Sequence, residues 1–175
     1  MRGWSYNLSN LHILLVEHNP HTRKLIRLIL NAFRCRNVHE AEDGAGALRH
    51  FEDGFRPDVI IVNSKLPMIT GLEVVRCVRR ARLGADPFTP VIMVTADTDK
   101  HHILAARDTG AHEVLALPLS AKRLYERIVA LIVSPRPFVR CPVYFGPDRR
   151  RQKADAHFPY DGPERRKSEP EALVG

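Results

Sequence analysis

Residues 58–71 read DVIIVNSKLPMITG, and the run Val59-Ile60-Ile61-Val62 decides the fold. Four consecutive apolar, mostly β-branched residues suit a strand covered on both faces, as in a parallel sheet. The polar Asn63 closes the run, and Pro67 and Gly71 punctuate the turn that follows. Working outward, the same arrangement recurs. Strands are predicted at Leu11 to Val16, Val38 to Glu40, Val91 to Thr95 and Val114 to Ala116, each joined to the next by an amphipathic stretch.

The first helix has Asn19 as cap and Pro20 at its first position, with Leu25, Ile26, Leu28, Ile29, Leu30 and Phe33 at helical spacing. The second runs from about Ala45 to Phe51 and stops near Gly54. The third carries Leu72, Val75, Val78 and Ala81 on one face, the fourth spans about Thr98 to Asp108 before Gly110, and the last contains Leu124, Ile128 and Leu131. Five β/α units in about 125 residues imply an α/β doubly wound five-stranded parallel sheet, whose ligand crevice lies at the carboxyl ends of the strands.

The chain of 175 residues suffices for one such domain and an appendage. Residues 1–9 read as an N-terminal extension, 10–134 as the domain, and 135–175 as an irregular tail. From Ser134 onward lie seven of the thirteen prolines. The tail also holds a near-repeat, Tyr144-Phe-Gly-Pro-Asp-Arg-Arg-Arg151 and Tyr160-Asp-Gly-Pro-Glu-Arg-Arg-Lys167. Each unit joins a Gly-Pro turn, a short helix start at Pro147 or Pro163, and paired guanidiniums beside an aromatic ring.

Cys35, Cys77 and Cys141 are odd in number and form no CxxC pair, which argues for reduced thiols over disulfides or zinc. No apolar run approaches the roughly 18 residues of a membrane span, and the opening MRGWSYNLSN lacks a signal peptide's apolar core, so a cytoplasmic protein without membrane insertion is expected. The net charge of +7 favours acidic or phosphate-bearing partners without identifying one.

The strand ends carry an ordered series: Glu17-His18-Asn19-Pro20, Ala41-Glu42-Asp43-Gly44, Pro57-Asp58, Asn63 with Pro67 and Gly71, Thr95-Ala96, Gly110-Ala111 and Leu117-Pro118. This series resembles the receiver domain of two-component response regulators, the CheY-like (βα)5 flavodoxin-like fold, across nearly all of residues 10–134. The resemblance implies phosphorelay signal transduction, an aspartate that takes a phosphoryl group from a histidine kinase, a Mg²⁺ ion held by two further acids, a lysine, and a Ser/Thr that reads the phosphate.

Matched position by position, this sequence departs from the pattern. Glu17 keeps one acid, but His18 replaces the second. Asn63 stands at the acceptor position and cannot form an acyl phosphate. Leu117 replaces the lysine and Val114 the usual aromatic switch residue, while Thr95 keeps its identity. Mg²⁺ prefers oxygen ligands to imidazole, so weak or absent metal binding, no cofactor and no catalytic residue are expected. The resemblance then implies a pseudo-receiver acting as an adaptor, with a signalling protein partner such as a histidine kinase or other regulator, through the face of its last two helices and last strand.

Two alternatives stay open. Tyr144, Arg149, Arg150, Arg151, Tyr160, Arg165 and Arg166 could bind a cyclic dinucleotide or another anionic ligand, because guanidiniums stack on bases and grip phosphates bidentately. Against a strong anion site, the tail's nine Lys/Arg are offset by six Asp/Glu. Conventional phosphorelay would need an unexpected acceptor or Asn63 converted to aspartate, for which Ser64 next in sequence is permissive. DNA binding is disfavoured, since no reading module follows the domain. The oligomeric state is not legible, and His18, His21, His101, His102 and His112 show no familiar metal-ligand spacing.

Overall fold

The computed structural model describes residues 6–149. Five parallel strands, β1 (His12–Val16), β2 (Asn37–Ala41), β3 (Val59–Asn63), β4 (Val91–Thr95) and β5 (Glu113–Ala116), form one sheet in the order β2-β1-β3-β4-β5. The helices between and after them are α1 (Pro20–Ala32), α2 (Gly44–Glu52), α3 (Gly71–Arg79), α4 (Lys100–Asp108) and α5 (Ala121–Val133). Strand order reverses between β1 and β3, which places the crevice at the carboxyl ends of β1, β3 and β4.

Central strands β3 and β4 are buried at every position, as their apolar runs require. One core cluster packs Ile13, Leu15, Ile61 and Val94 against α1 and α5; the other packs Leu14, Ile60, Val62 and Met93 against α2 and α3. Asn19 caps α1 as its sequence implies, its side chain accepting from His21 N and Thr22 N. Asp99 accepts from His101 N and so starts α4 two residues later than expected.

Two other readings are corrected. Ala81 is not on the α3 face: the helix ends at Arg79, and Ala81 sits outside it with φ 51°. Leu8, assigned to an N-terminal extension, is buried in the α1/α5 core, and Tyr6 N donates to Tyr125 Oη at 2.8 Å. Tyr125 is itself buried and packs edge-on to Phe33.

The tail begins with regular structure that its composition does not announce. β6 (Phe138–Cys141) and β7 (Tyr144–Pro147) form an antiparallel hairpin. Pro147 therefore ends a strand and does not start a helix. The hairpin covers the amino-terminal ends of β4 and β5: Phe138, Phe145 and Phe88 form an aromatic cluster that His112 joins through Phe138.

Beneath it lies Arg79, 6% exposed. Its guanidinium donates to the carbonyls of Gly110, Pro87 and Thr89 at 2.8–3.0 Å, approaches His112 Nδ1 at 3.2 Å, and lies 5.2 Å from the Phe138 ring centroid. Burial lowers the Arg79 pKa to about 10, still far above neutrality, so a charged group is held by carbonyl dipoles.

His112 Nδ1 also accepts from Val91 N, which fixes the neutral tautomer. Burial, then the charges of Arg79 and Arg136, lower its pKa from the ordinary 6.5 to about 3. Because the unfolded chain takes up this proton first, stability is complete above pH 6.5 and is lost towards pH 3, by up to about 1.4 kcal/mol per pH unit. Thermal melts of the wild type should fall steadily over that window, and melts of His112→Asn should be flatter. Parallel curves would show that another group sets the acid limit.

Candidate functional site

The crevice is built around a buried carboxylate and a buried amide. Glu17 follows β1 and is 1% exposed; Asn63 closes β3 and is 8% exposed. Asn63 Nδ2 donates to Glu17 Oε2 at 2.8 Å, and Asn63 Oδ1 accepts from Lys65 N at 2.9 Å. Glu17 Oε1 accepts from Asn19 N at 2.8 Å and lies 3.2 Å from His18 Nδ1. The two neighbours meet because the chain turns sharply from β1 into α1.

Gly71 explains why this strand end is so compact. Its nitrogen donates to Ser64 O at 3.1 Å, and a Cβ there would collide with the Asn63 carbonyl oxygen. The start of α3 can therefore rest on the backbone of Asn63 and Ser64.

Thr95 is 4% exposed, and its hydroxyl is already engaged: Oγ1 accepts from Ser64 Oγ at 2.9 Å and from Asp97 N at 3.0 Å, and lies 3.2 Å from Asp97 O. Leu117 is half-buried and packs against the α1/α5 core. Val114, also half-buried, packs against the other cluster. Thus Glu17, His18 and Asn63 are in contact, Thr95 adjoins through Ser64, and Leu117 belongs to the core.

Two residues of the crevice, Lys65 and Asp97, were not singled out from sequence. Lys65 Nζ lies 3.1 Å from Asp97 Oδ2, and His102 Nδ1 lies 3.1 Å from the same oxygen. The Asp99 N–H and then Lys65 hold the Asp97 carboxyl below the usual range. Only the pairing of Asn63 with Val94 in the sheet brings these distant positions together.

Of the candidate anion ligands in the tail, Tyr144 and Arg149 adjoin each other: Arg149 stacks 3.8 Å from the Tyr144 ring centroid and pairs with Asp108 at 2.8 Å. Both are used within the domain. Arg150, Arg151, Tyr160, Arg165 and Arg166 lie outside the described residues.

The profile of the response regulator receiver domain matches residues 13–129. The chain belongs to this family. The chemotaxis protein CheY of Pseudomonas aeruginosa is 31% identical over 119 residues, covering 67% of this chain and 93% of its own length. The transcriptional regulatory protein TrcR of Mycobacterium tuberculosis is 30% identical over 124 residues, which span 71% of this chain but 46% of the regulator. The chain thus spans about half the length of that relative.

Among solved structures, the receiver domain of a sensor histidine kinase from P. aeruginosa is 29% identical with a TM-score of 0.64, covering 71% of this chain and 98% of that one. It holds a magnesium ion in its active-site cleft. The chemotaxis protein CheY4 of Vibrio cholerae is 28% identical with a TM-score of 0.60, covering 67% of this chain and 95% of that one. This protein therefore carries a receiver domain of two-component signalling.

Proposed function

We propose that this receiver is not phosphorylated by the family mechanism and signals by binding a protein partner, as an adaptor without enzymatic activity. The observation that carries the reading is the 2.8 Å bond from Asn63 Nδ2 to Glu17 Oε2. An amide has no carboxylate oxygen with which to attack a phosphorus atom. Here its nitrogen also occupies the carboxylate that would otherwise face a metal.

The residues present do not fit the magnesium ion held by the P. aeruginosa kinase receiver. Of the acids the family uses, Glu17 alone remains, and both its oxygens accept protein N–H groups. His18 offers imidazole to an ion that strongly prefers oxygen. No lysine stands at Leu117, so developing phosphoryl charge has no cation from that strand end. Incubation with acetyl phosphate and Mg²⁺ followed by intact-mass measurement should leave the protein mass unchanged. Gain of a phosphoryl group on Asn63 or its neighbours would overturn the reading.

Conversion of Asn63 to aspartate requires Ser64 N to attack the side-chain amide. Ser64 N instead donates to Val94 O at 2.9 Å within the sheet, and Asn63 Oδ1 is held by Lys65 N. Protein aged at neutral pH should retain an amide at position 63 in peptide mass spectra. Accumulation of aspartate at this position, at the pace of an exposed Asn-Ser sequence, would favour conventional phosphorelay. The cyclic-dinucleotide reading gains no support from the described residues, where Arg149 is already paired.

A further inference from the structure

The hairpin that covers Arg79 also creates a groove at the opposite end of the sheet from Asn63. Its volume is about 440 Å³, and it runs between the carboxyl ends of α3 and α4 and the β6–β7 hairpin. Arg76 and Arg80 line one wall and Arg140 the other. All three are exposed. Arg76 acts on Glu73 one turn earlier, and Arg140 lies over the Phe145 ring at 4.9 Å. None of the three, however, has a carboxylate within salt-bridge distance among the described residues.

The lining carboxylate, Asp108, is taken by Arg149 at 2.8 Å. Buried Arg79 adds a fourth positive charge to the floor, bonded to carbonyls that carry no formal charge of their own. At the rim, the hairpin turn presents Val143, 93% exposed. An isolated surface valine means little, but here it stands beside guanidiniums that make no salt bridge among the described residues.

We propose that this groove docks an acidic segment of a partner protein that carries an apolar residue. The charges supply steering and bidentate recognition of carboxylates, and Val143 supplies an apolar contact that a bare anion could not use. The groove and Asn63 lie at opposite ends of the strands, so this inference stands independently of whether the receiver accepts a phosphoryl group.

The test uses the full chain and a fluorescein-labelled octapeptide of glutamates with one central leucine, read by fluorescence anisotropy. Saturable binding is expected, weakened about tenfold or more by the triple variant Arg76→Glu, Arg80→Glu, Arg140→Glu, and about threefold by Val143→Ser. Reversing Lys24, Lys122 and Arg123, exposed near the other end of the sheet, should leave it unchanged. Absence of saturable binding, or equal loss in both triple variants, would overturn the proposal. So would displacement of the peptide by pyrophosphate at lower concentrations than the peptide itself requires, which would mark the groove as a phosphate site. Melting curves matching the wild type would confirm that the variants, all at exposed positions, remain folded.

Discussion

Arg79→Met should lower the melting temperature by about 10–20 °C, corresponding to about 3–5 kcal/mol for a domain of this size. Methionine would preserve most of the aliphatic stem and remove the desolvation cost of a buried cation. That cost is about 3 kcal/mol, judged from a pKa lowered from 12.5 to about 10. The carbonyls of Gly110, Pro87 and Thr89 would then lose a donor inside the protein, at about 1–3 kcal/mol each. Loss exceeds relief, so the variant is destabilised. A melting temperature within about 2 °C of the wild type would show that the two terms cancel and that the hairpin is held by its aromatic cluster alone.

Asn63→Asp is expected to destabilise the fold at neutral pH, by about 2–4 kcal/mol, and to gain little phosphorylation. The substitution removes the N–H that bonds Glu17 and sets two buried carboxylates about 3 Å apart. The folded pair then holds a proton above the ordinary carboxylate range. The variant should be least impaired below about pH 4 and lose stability as pH rises, until the raised folded pKa is passed. Urea melts at pH 4 and pH 7.5 measure this directly. A variant as stable as the wild type at pH 7.5, and fully modified by acetyl phosphate with Mg²⁺, would mean that His18 and Leu117 have not disabled the pocket.

Much of the fold was legible because parallel strands leave a plain signal: Val59–Val62 and Val91–Val94 are too uniformly apolar to face water on either side. Caps were legible where the deciding group is local, as with Asn19 and Pro20. The α3 end was not, because Arg79 looks like any surface arginine until the loops carrying Pro87, Thr89 and Gly110 are brought around it. The hairpin escaped notice for a similar reason. Phe138 and Phe145 pack against Phe88, and Phe138 against His112, distant positions that no local periodicity connects.

At the site, the identities of Glu17, His18, Asn63, Thr95 and Leu117 could be read from the chain once the strand ends were placed. Their bonds could not. That Asn63 spends its amide on Glu17, and that Thr95 is enclosed by Ser64 and Asp97, depends on side-chain direction. Lys65 and Asp97 meet because β3 and β4 are neighbours in space, although thirty-two positions separate them in sequence.

The docked hairpin also changes where the folding unit ends. The family profile stops at residue 129 and the last helix at Val133, yet Arg136 bonds Glu113 at 2.7 Å, and Phe138 lies over Arg79 and His112. A chain cut at the helix end would strip Phe88 of its ring contacts to Phe138 and Phe145 and leave a buried cation open to water. Any truncation meant to isolate this receiver should therefore run past Arg149, because the residues that close its lower end are encoded beyond the domain's customary border.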